Sequence, residues 1–344
     1  METIIFQDKD LDNIENQQFI KKTILEGGLI VFPTETVYGI GGNALSSSSA
    51  KNIFDAKGRP QDNPLIVHIK DPKELELYIA KKPLFTELLI KSFWPGPLTL
   101  IFEKNLKIPY EVTGGLETVA IRIPNHLVAL KLLKIIDVPL CAPSANISGR
   151  PSSTRFSHVL NDFNGKVDIM IDGGSSDIGL ESTVLDLTQP IPVILRPGAV
   201  TKAMIENVLE MPIIDGALEV TSEKPKSPGM KYKHYAPKGY VHLIDGALED
   251  VITYIKKEVQ SKQMQKVGVI GVEEVVRHID DVYKVSLGAK DNLKEVGHNL
   301  FAALRQMDDL NIEDIYMHTI NKDDLGEAIM NRLSKASNYH MIKL

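Results

Sequence analysis

The sequence predicts an α/β protein of two domains, and three observations lead there. Its 344 residues exceed what one hydrophobic core ordinarily organises. Short β-branched apolar runs alternate with amphipathic stretches in two separate blocks, as in α/β domains. Between the blocks, over 211–238, the apolar periodicity weakens and prolines gather at Pro212, Pro225, Pro228 and Pro237. The expected organisation is a first domain over 1–210, a linker over 211–238 and a smaller second domain over 239–344.

In the first block, 11–26 reads as a helix, because Leu11, Ile14, Ile20 and Ile24 recur near one face and Gly27 stops it. A buried strand over 29–32 follows and ends at Pro33. Further strands are expected at 65–69, 98–102, 119–123, 138–142, 167–171, 183–187 and 193–195. Helices are expected at 50–56, 86–93, 127–136 and 201–210, and the serine run Ser46 to Ser49 reads as a cap for the first of these. After Gly239, strands are expected at 241–244, 267–270, 282–286 and 314–317, with helices at 249–257, 292–307 and 326–337. This alternation predicts a small, mostly parallel, Rossmann-like second domain. Its GVIGVEE stretch is no GxGxxG, so it supplies no dinucleotide-binding signature.

Composition excludes several classes. Hydrophobic residues make up 43% and charged residues 24%, enough apolar material for sizeable cores. The acidic N-terminus and the lack of a long apolar run argue against secretion and membrane insertion. The single cysteine, Cys141, lies in an apolar run and reads as a small buried side chain, in keeping with a cytoplasmic protein. Net charge is −6, with 21 basic against 23 acidic residues through position 205 and 18 against 22 beyond it. Neither half carries the basic excess of a non-specific nucleic-acid binder. The histidines show no zinc-ligand spacing and one cysteine makes no thiolate site, so no structural metal is expected.

Five polar clusters fall where expected strands run into loops, the usual place for ligands in open α/β sheets. The first is PTETVYG with Gly41 and Gly42, centred on Thr36; it reads either as a turn or as a loop whose glycines let a ligand approach the backbone. The second is Lys57-Gly58-Arg59-Pro60, with Asn63 and His68. Its two cations either complete a helix end or offset ligand charge. The third is Arg122 within AIRIP, which must pair with an anion when buried, either an internal carboxylate or a substrate carboxylate. The fourth is SANISG after Ala142, bringing Ser144 and Asn146, with Ser152 shortly beyond; it reads as a turn or as a phosphate or ribose holder. The fifth is ESTVLD with LRPGA, contributing Ser182 and Arg196. The SPGMKYKHYAP stretch is too aromatic and basic for an inert spacer, and is expected to fold over a site.

In combination, PTETVYG, KGRP with NPL and His68, AIRIP, SANISG, ESTVLD, LRPGA and SPGMKYKHYAP resemble the YrdC family, in its long two-domain form. The motifs span about 30 to 237, and the remainder matches in length and pattern. The resemblance implies a twisted mixed sheet with helices in the first domain. It also implies synthesis of threonylcarbamoyl-AMP and pyrophosphate from L-threonine, bicarbonate and ATP, serving a tRNA modification. Mg²⁺ would arrive with the nucleotide. By the family pattern, Lys57, Arg59, Ser144 and Asn146 would be catalytic. Thr36, His68, Arg122, Ala142 and Ser182 would line the threonine site. Arg59, Asn63, Thr118, Ser144, Ser152, Arg196 and Tyr235 would contact ATP, with Tyr235 closing as a lid. The implied partner is the tRNA threonylcarbamoyl transferase machinery.

Two rival readings fit the sequence less well. An RNA-binding module of the same fold lacks support in the acidic balance of both halves. A carbamoyl-transfer domain of the hydrogenase-maturation type carries cysteine-rich zinc motifs, whereas this chain has one cysteine.

Overall fold

The computed structural model describes residues 2–216, 235–260 and 266–344. The chain forms two compact units. The first holds Met1–Ser148, Ser153–Asp177 and Glu181–Lys231, and the second holds Tyr232–Leu344 together with two short excursions, Gly149–Ser152 and Ile178–Leu180.

The first unit is built on a mixed sheet whose strands in chain order are β1 (Ile4–Gln7), β2 (Ile30–Phe32), β3 (Gly39–Asn43), β4 (Ile66–His68), β5 (Leu98–Glu103), β6 (Thr118–Arg122), β7 (Leu140–Ala142), β8 (Ile169–Asp172), β9 (Thr183–Asp186), β10 (Val193–Arg196) and β11 (Ile214–Asp215). In space the order is β1-β8-β2-β3-β7-β4-β6-β5-β9-β10-β11. Its helices are α1 (Ile14–Leu25), α2 (Ser47–Lys57), α3 (Thr86–Phe93), α4 (Tyr110–Thr113), α5 (Leu127–Ile136), α6 (Phe156–Phe163) and α7 (Lys202–Leu209). The main core lies on one sheet face, where Val67, Leu100, Ile121, Cys141 and Leu185 pack with Ile53, Phe54 and Phe163. Burial raises the Cys141 thiol to about 12, so it stays protonated as a packing group.

Local chemistry sets the element ends. Asn13 accepts from the N–H groups of Glu15 and Asn16, so α1 starts at Ile14 and the preceding Asp8–Asp12 turn is a separate 3-10 helix. Ser46 caps α2 by accepting from Ser49, and Gly58, at φ 60°, ends it. Gly39, Gly41 and Gly42, which the sequence left open between a turn and a ligand loop, lie in β3. A Cβ on Gly41 would stand 2.9 Å from Phe32 Cε1, and one on Gly42 would stand 3.1 Å from Ser49 Cβ. Glycine is needed there because the Phe32 ring and α2 press onto the strand.

The second unit carries β12 (Tyr240–Asp245), β13 (Val267–Gly271), β14 (Tyr283–Ser286), β15 (Asp314–His318) and β16 (Met341–Lys343), all paired in parallel in the order β14-β13-β15-β12-β16. Helices α8 (Leu248–Gln260), α9 (Glu273–Val276), α10 (Leu293–Asp309) and α11 (Leu325–Ala336) connect them. Among the described residues no helix is long and apolar enough to cross a membrane.

Candidate active site

Sheet register puts the marked residues of the first unit on one face. Directly opposed residues of neighbouring strands point the same way, and so does every second residue along a strand. Ala142 opposes Ile66, and Ile66 opposes Ala120, which opposes Ile101; Leu140 opposes His68, which opposes Arg122. On β5, Thr99 opposes Val184, and Val184 opposes Arg196. His68, Arg122, Ala142, Thr118 and Arg196 therefore share the face opposite the main core. Ile66, Ile101, Ala120 and Val184, with Leu195 against them, form a small separate apolar cluster on that face.

Three hydrogen-bonded groups hold the marked residues, and the first and third include residues of this face. In the first, Arg122 Nη1 donates to Thr36 Oγ1 at 2.9 Å and Nε donates to the Gly96 carbonyl at 3.1 Å. Its Nη2 stands 2.6 Å from Glu35 Oε1. The internal carboxylate allowed for Arg122 by its sequence setting is thus present, and it is Glu35 of the PTETVYG cluster. Yet neither Glu35 oxygen accepts a hydrogen bond from the described residues, and Nη2 donates none. His68 lies one strand away, buried edge-on to Phe32. Burial, reinforced by the Arg122 charge, drives its pKa down to about 3, so the imidazole is neutral at ordinary pH.

The second group joins α2 to the SANISG loop. Lys57 Nζ donates to the Ser144 carbonyl at 2.6 Å and also to the Asn146 carbonyl. Ser144 Oγ donates to Asn146 Oδ1 at 2.5 Å. Ser144 pairs with Gly39, and the Ala145 N–H donates to the Tyr38 carbonyl at 2.6 Å, which ties this loop to the one carrying Thr36. Arg59 Nε and Nη2 donate to the carbonyls of Asn63 and Pro64 at 3.3 and 3.1 Å. Both cations are buried. These bonds go to loop carbonyls beyond α2.

In the third group, Ser182 Oγ lies 2.7 Å from Thr99 Oγ1, while Arg196 donates to Ser182 twice, through Nη2 to Oγ at 3.1 Å and through Nε to the carbonyl at 3.0 Å. Thr99 was missed because nothing in an apolar strand run marks one threonine. Its register with Val184 is the only signal that would have found it.

Four cations of the first unit, Lys57, Arg59, Arg122 and Arg196, are buried, and hydroxyl or amide groups stand beside three of them. Charge placed this way in a low-dielectric setting suits an anionic ligand. Thr118 and Asn63 stand near the starts of β6 and β4, the end of these strands away from Arg122 and His68. Ser152 and Tyr235 belong to the second unit. The linker expected to cover the site falls mainly on 217–234, which lies outside the described residues. Among the described residues, no group of three or more His, Cys, Asp or Glu side chains is placed to hold a metal ion.

Comparison with known proteins agrees with this architecture. The Sua5/YciO/YrdC family model, described as "Telomere recombination", matches residues 22–198, and a model described as "Threonylcarbamoyl-AMP synthase, C-terminal domain" matches 200–338. A threonylcarbamoyl-AMP synthase of Pyrococcus abyssi is 46% identical over 324 residues, covering 93% of this chain and 94% of the relative. That of Bacillus subtilis is 44% identical, covering 92% of each. The crystal structure of P. abyssi Sua5 complexed with L-threonine has a TM-score of 0.92 at 44% identity, covering 99% of this chain and 100% of that one. The chain belongs to the Sua5/YciO/YrdC family, in the form that carries the additional C-terminal domain.

Proposed function

We propose that this chain is a threonylcarbamoyl-AMP synthase acting as a nucleotidyltransferase in the cytoplasm. The observation that carries the reading is the burial of four cations in the first unit, with Arg122 bonded to Thr36, Arg196 to Ser182 and Lys57 to the Ser144 carbonyl. The near full-length likeness to relatives of that name supports it. So does the likeness to a Sua5 protein whose structure contains L-threonine.

In this reading the threonine amine joins bicarbonate with loss of water, and an oxygen of the resulting carbamate attacks the α-phosphorus of ATP. A carbamate-oxygen-to-phosphorus bond forms, and the bond from the α-phosphorus to the bridging oxygen breaks, releasing pyrophosphate. Both reactants are anions, so fixed positive charge does the essential work, and orientation the rest. Arg122, with Thr36, His68, Ala142 and Ser182, lines the threonine subsite; its planar guanidinium suits a carboxylate. Lys57, Arg59, Ser144 and Asn146 hold the reacting phosphate. Asn63, Thr118, Ser152, Arg196 and Tyr235 complete the ATP contacts. Mg²⁺ carried by the nucleotide phosphates would offset their charge and would need few protein ligands. The product passes to the tRNA threonylcarbamoyl transferase machinery.

Pyrophosphate release measured on the purified protein tests this. Release from ATP is expected only when threonine and bicarbonate are both present, and Lys57→Ala or Arg59→Ala abolishes it. Turnover indifferent to threonine sinks the assignment. Tight, steeply salt-dependent tRNA binding without turnover points to an RNA-binding module instead.

A further inference from the structure

The second unit takes in two excursions of the N-terminal chain, Gly149–Ser152 and Ile178–Leu180, and both meet the same helix. Along α10, Gly297, Phe301, Arg305 and Asp308 recur at steps of four, four and three, which places them on one stripe. Each holds a different piece of chain. A Cβ added to Gly179 would lie 2.5 Å from the Cα of His298, and one added to Gly297 would lie 3.0 Å from Leu180 Cδ1, so backbone meets backbone with nothing between. Phe301 packs on the Tyr235 ring at 5.2 Å, with the Arg332 guanidinium 5.9 Å from the centre of that ring. Arg305 donates to the Pro151 carbonyl twice, from Nε at 3.0 Å and from Nη2 at 2.8 Å. Asp308 accepts from the Lys238 N–H at 2.6 Å, and the Ala236 N–H donates to the Gly149 carbonyl at 3.0 Å.

The Arg305 contact is the one with chemical consequence. The Pro151 carbonyl and the Ser152 N–H belong to one planar peptide unit, so fixing the oxygen fixes the direction of the N–H and the start of the Ser152 side chain. Proline removes the φ freedom on the other side of that unit. Two charge-assisted donors on one buried oxygen make a stiff grip. The neighbouring residue held by the same stripe is Tyr235, through Phe301. Ser152 and Tyr235 come from chain positions far apart, yet α10 holds both.

We propose that Arg305 is a positioning residue for nucleotide binding: through the Pro151 carbonyl it sets Ser152, while Phe301 on the same stripe sets Tyr235. This rests on the assignment of Ser152 and Tyr235 as ATP contacts. It extends that assignment by making α10 of the second unit the element that orders them. The bonds that hold Arg122, Thr36 and Ser182 run to one another, Gly96, Thr99 and Arg196, so the effect of Arg305 is expected chiefly on ATP.

Pyrophosphate release by the full-length protein, with ATP and threonine varied separately, tests this in wild type, Arg305→Met, Arg305→Lys and Phe301→Leu. Arg305→Met is expected to raise the KM for ATP about tenfold, the effect of losing one strong hydrogen bond. Its threonine KM should stay within about twofold and kcat should change less than the ATP KM. Arg305→Lys, which keeps one charged donor, recovers part of the loss, and Phe301→Leu raises the ATP KM alone. An Arg305→Met protein that melts like wild type and has an unchanged ATP KM overturns the proposal. So does an equal rise in both KM values, or a lysine variant no better than methionine. Should Arg305→Met fail to fold, Arg305→Lys and Phe301→Leu decide by the same split. Should wild type show no threonine-dependent release, the assigned reaction falls, and calorimetric ATP affinity of the same variants still judges Arg305: a drop supports it and no drop overturns it.

Discussion

Arg122 and Glu35 meet at 2.6 Å with both side chains about 5% exposed, and the same guanidinium donates to Thr36 and to the Gly96 carbonyl. A buried ion pair of this kind gives little net stability, but breaking it leaves one uncompensated charge. Glu35→Gln or Arg122→Gln alone is therefore expected to cost about 3 kcal/mol. The double variant should lose much less than the sum of the two. Urea midpoints of the four proteins measure the cycle, and additive losses would show the pair is not coupled. Arg122→Gln should also raise the threonine KM sharply while the ATP KM moves little.

His68 predicts a pH dependence. Its folded pKa is lowered from 6.5 to about 3 by burial and by Arg122. The unfolded chain thus takes up a proton between these values while the folded chain does not. The contribution of His68 to stability is whole above about pH 6.5 and is lost progressively as pH falls toward 3, up to roughly 4 kcal/mol. Denaturation midpoints of wild type should fall more steeply from pH 6.5 to 4 than those of His68→Asn. Parallel curves would mean the imidazole is not held neutral.

Much of the fold was readable where side chains advertise their surroundings. Helices α3 and α5 have the bounds expected for them, because each couples an apolar stripe to a clear stop, Asp137 in αL conformation for α5. The serine cap of α2 was equally plain. Strand β3 was not, because alternation cannot be read from glycines, whose role appears only once Phe32 is packed across them. The cationic and hydroxyl side chains of the site were legible as clusters after strands. What joins them was not. Glu35, Thr99 and the Arg305 grip on Pro151 depend on contacts across long sequence separations, which leave no local trace.

The β3 packing gives a prediction aimed at stability alone. Gly41→Ala places a methyl 2.9 Å from the Phe32 ring, closer than real Cβ contacts allow. Overpacking of this kind costs about 1–3 kcal/mol. The melting temperature should drop, with both KM values close to wild type in the folded fraction. Combining it with Phe32→Leu should recover part of the loss. A loss of ATP binding at unchanged stability would restore the reading of these glycines as a ligand loop.

Thr99 offers the sharpest test of the site itself. Its hydroxyl lies 2.7 Å from Ser182 Oγ in a position closed to solvent, and Ser182 is also held by two donors of Arg196. Thr99→Val keeps the shape and removes the hydroxyl, so Ser182 loses one of its fixed partners and gains freedom to turn. The stability cost should be about 1 kcal/mol, that of one neutral hydrogen bond. Because Ser182 is assigned to threonine and Arg196 to ATP, the two KM values report different consequences of one change. The threonine KM should rise about threefold to tenfold, while the ATP KM stays nearly constant because both Arg196 donors keep acceptors on Ser182. A rise in the ATP KM alone would mean that Thr99 acts through Arg196, and that Ser182 lines the nucleotide rather than the amino acid.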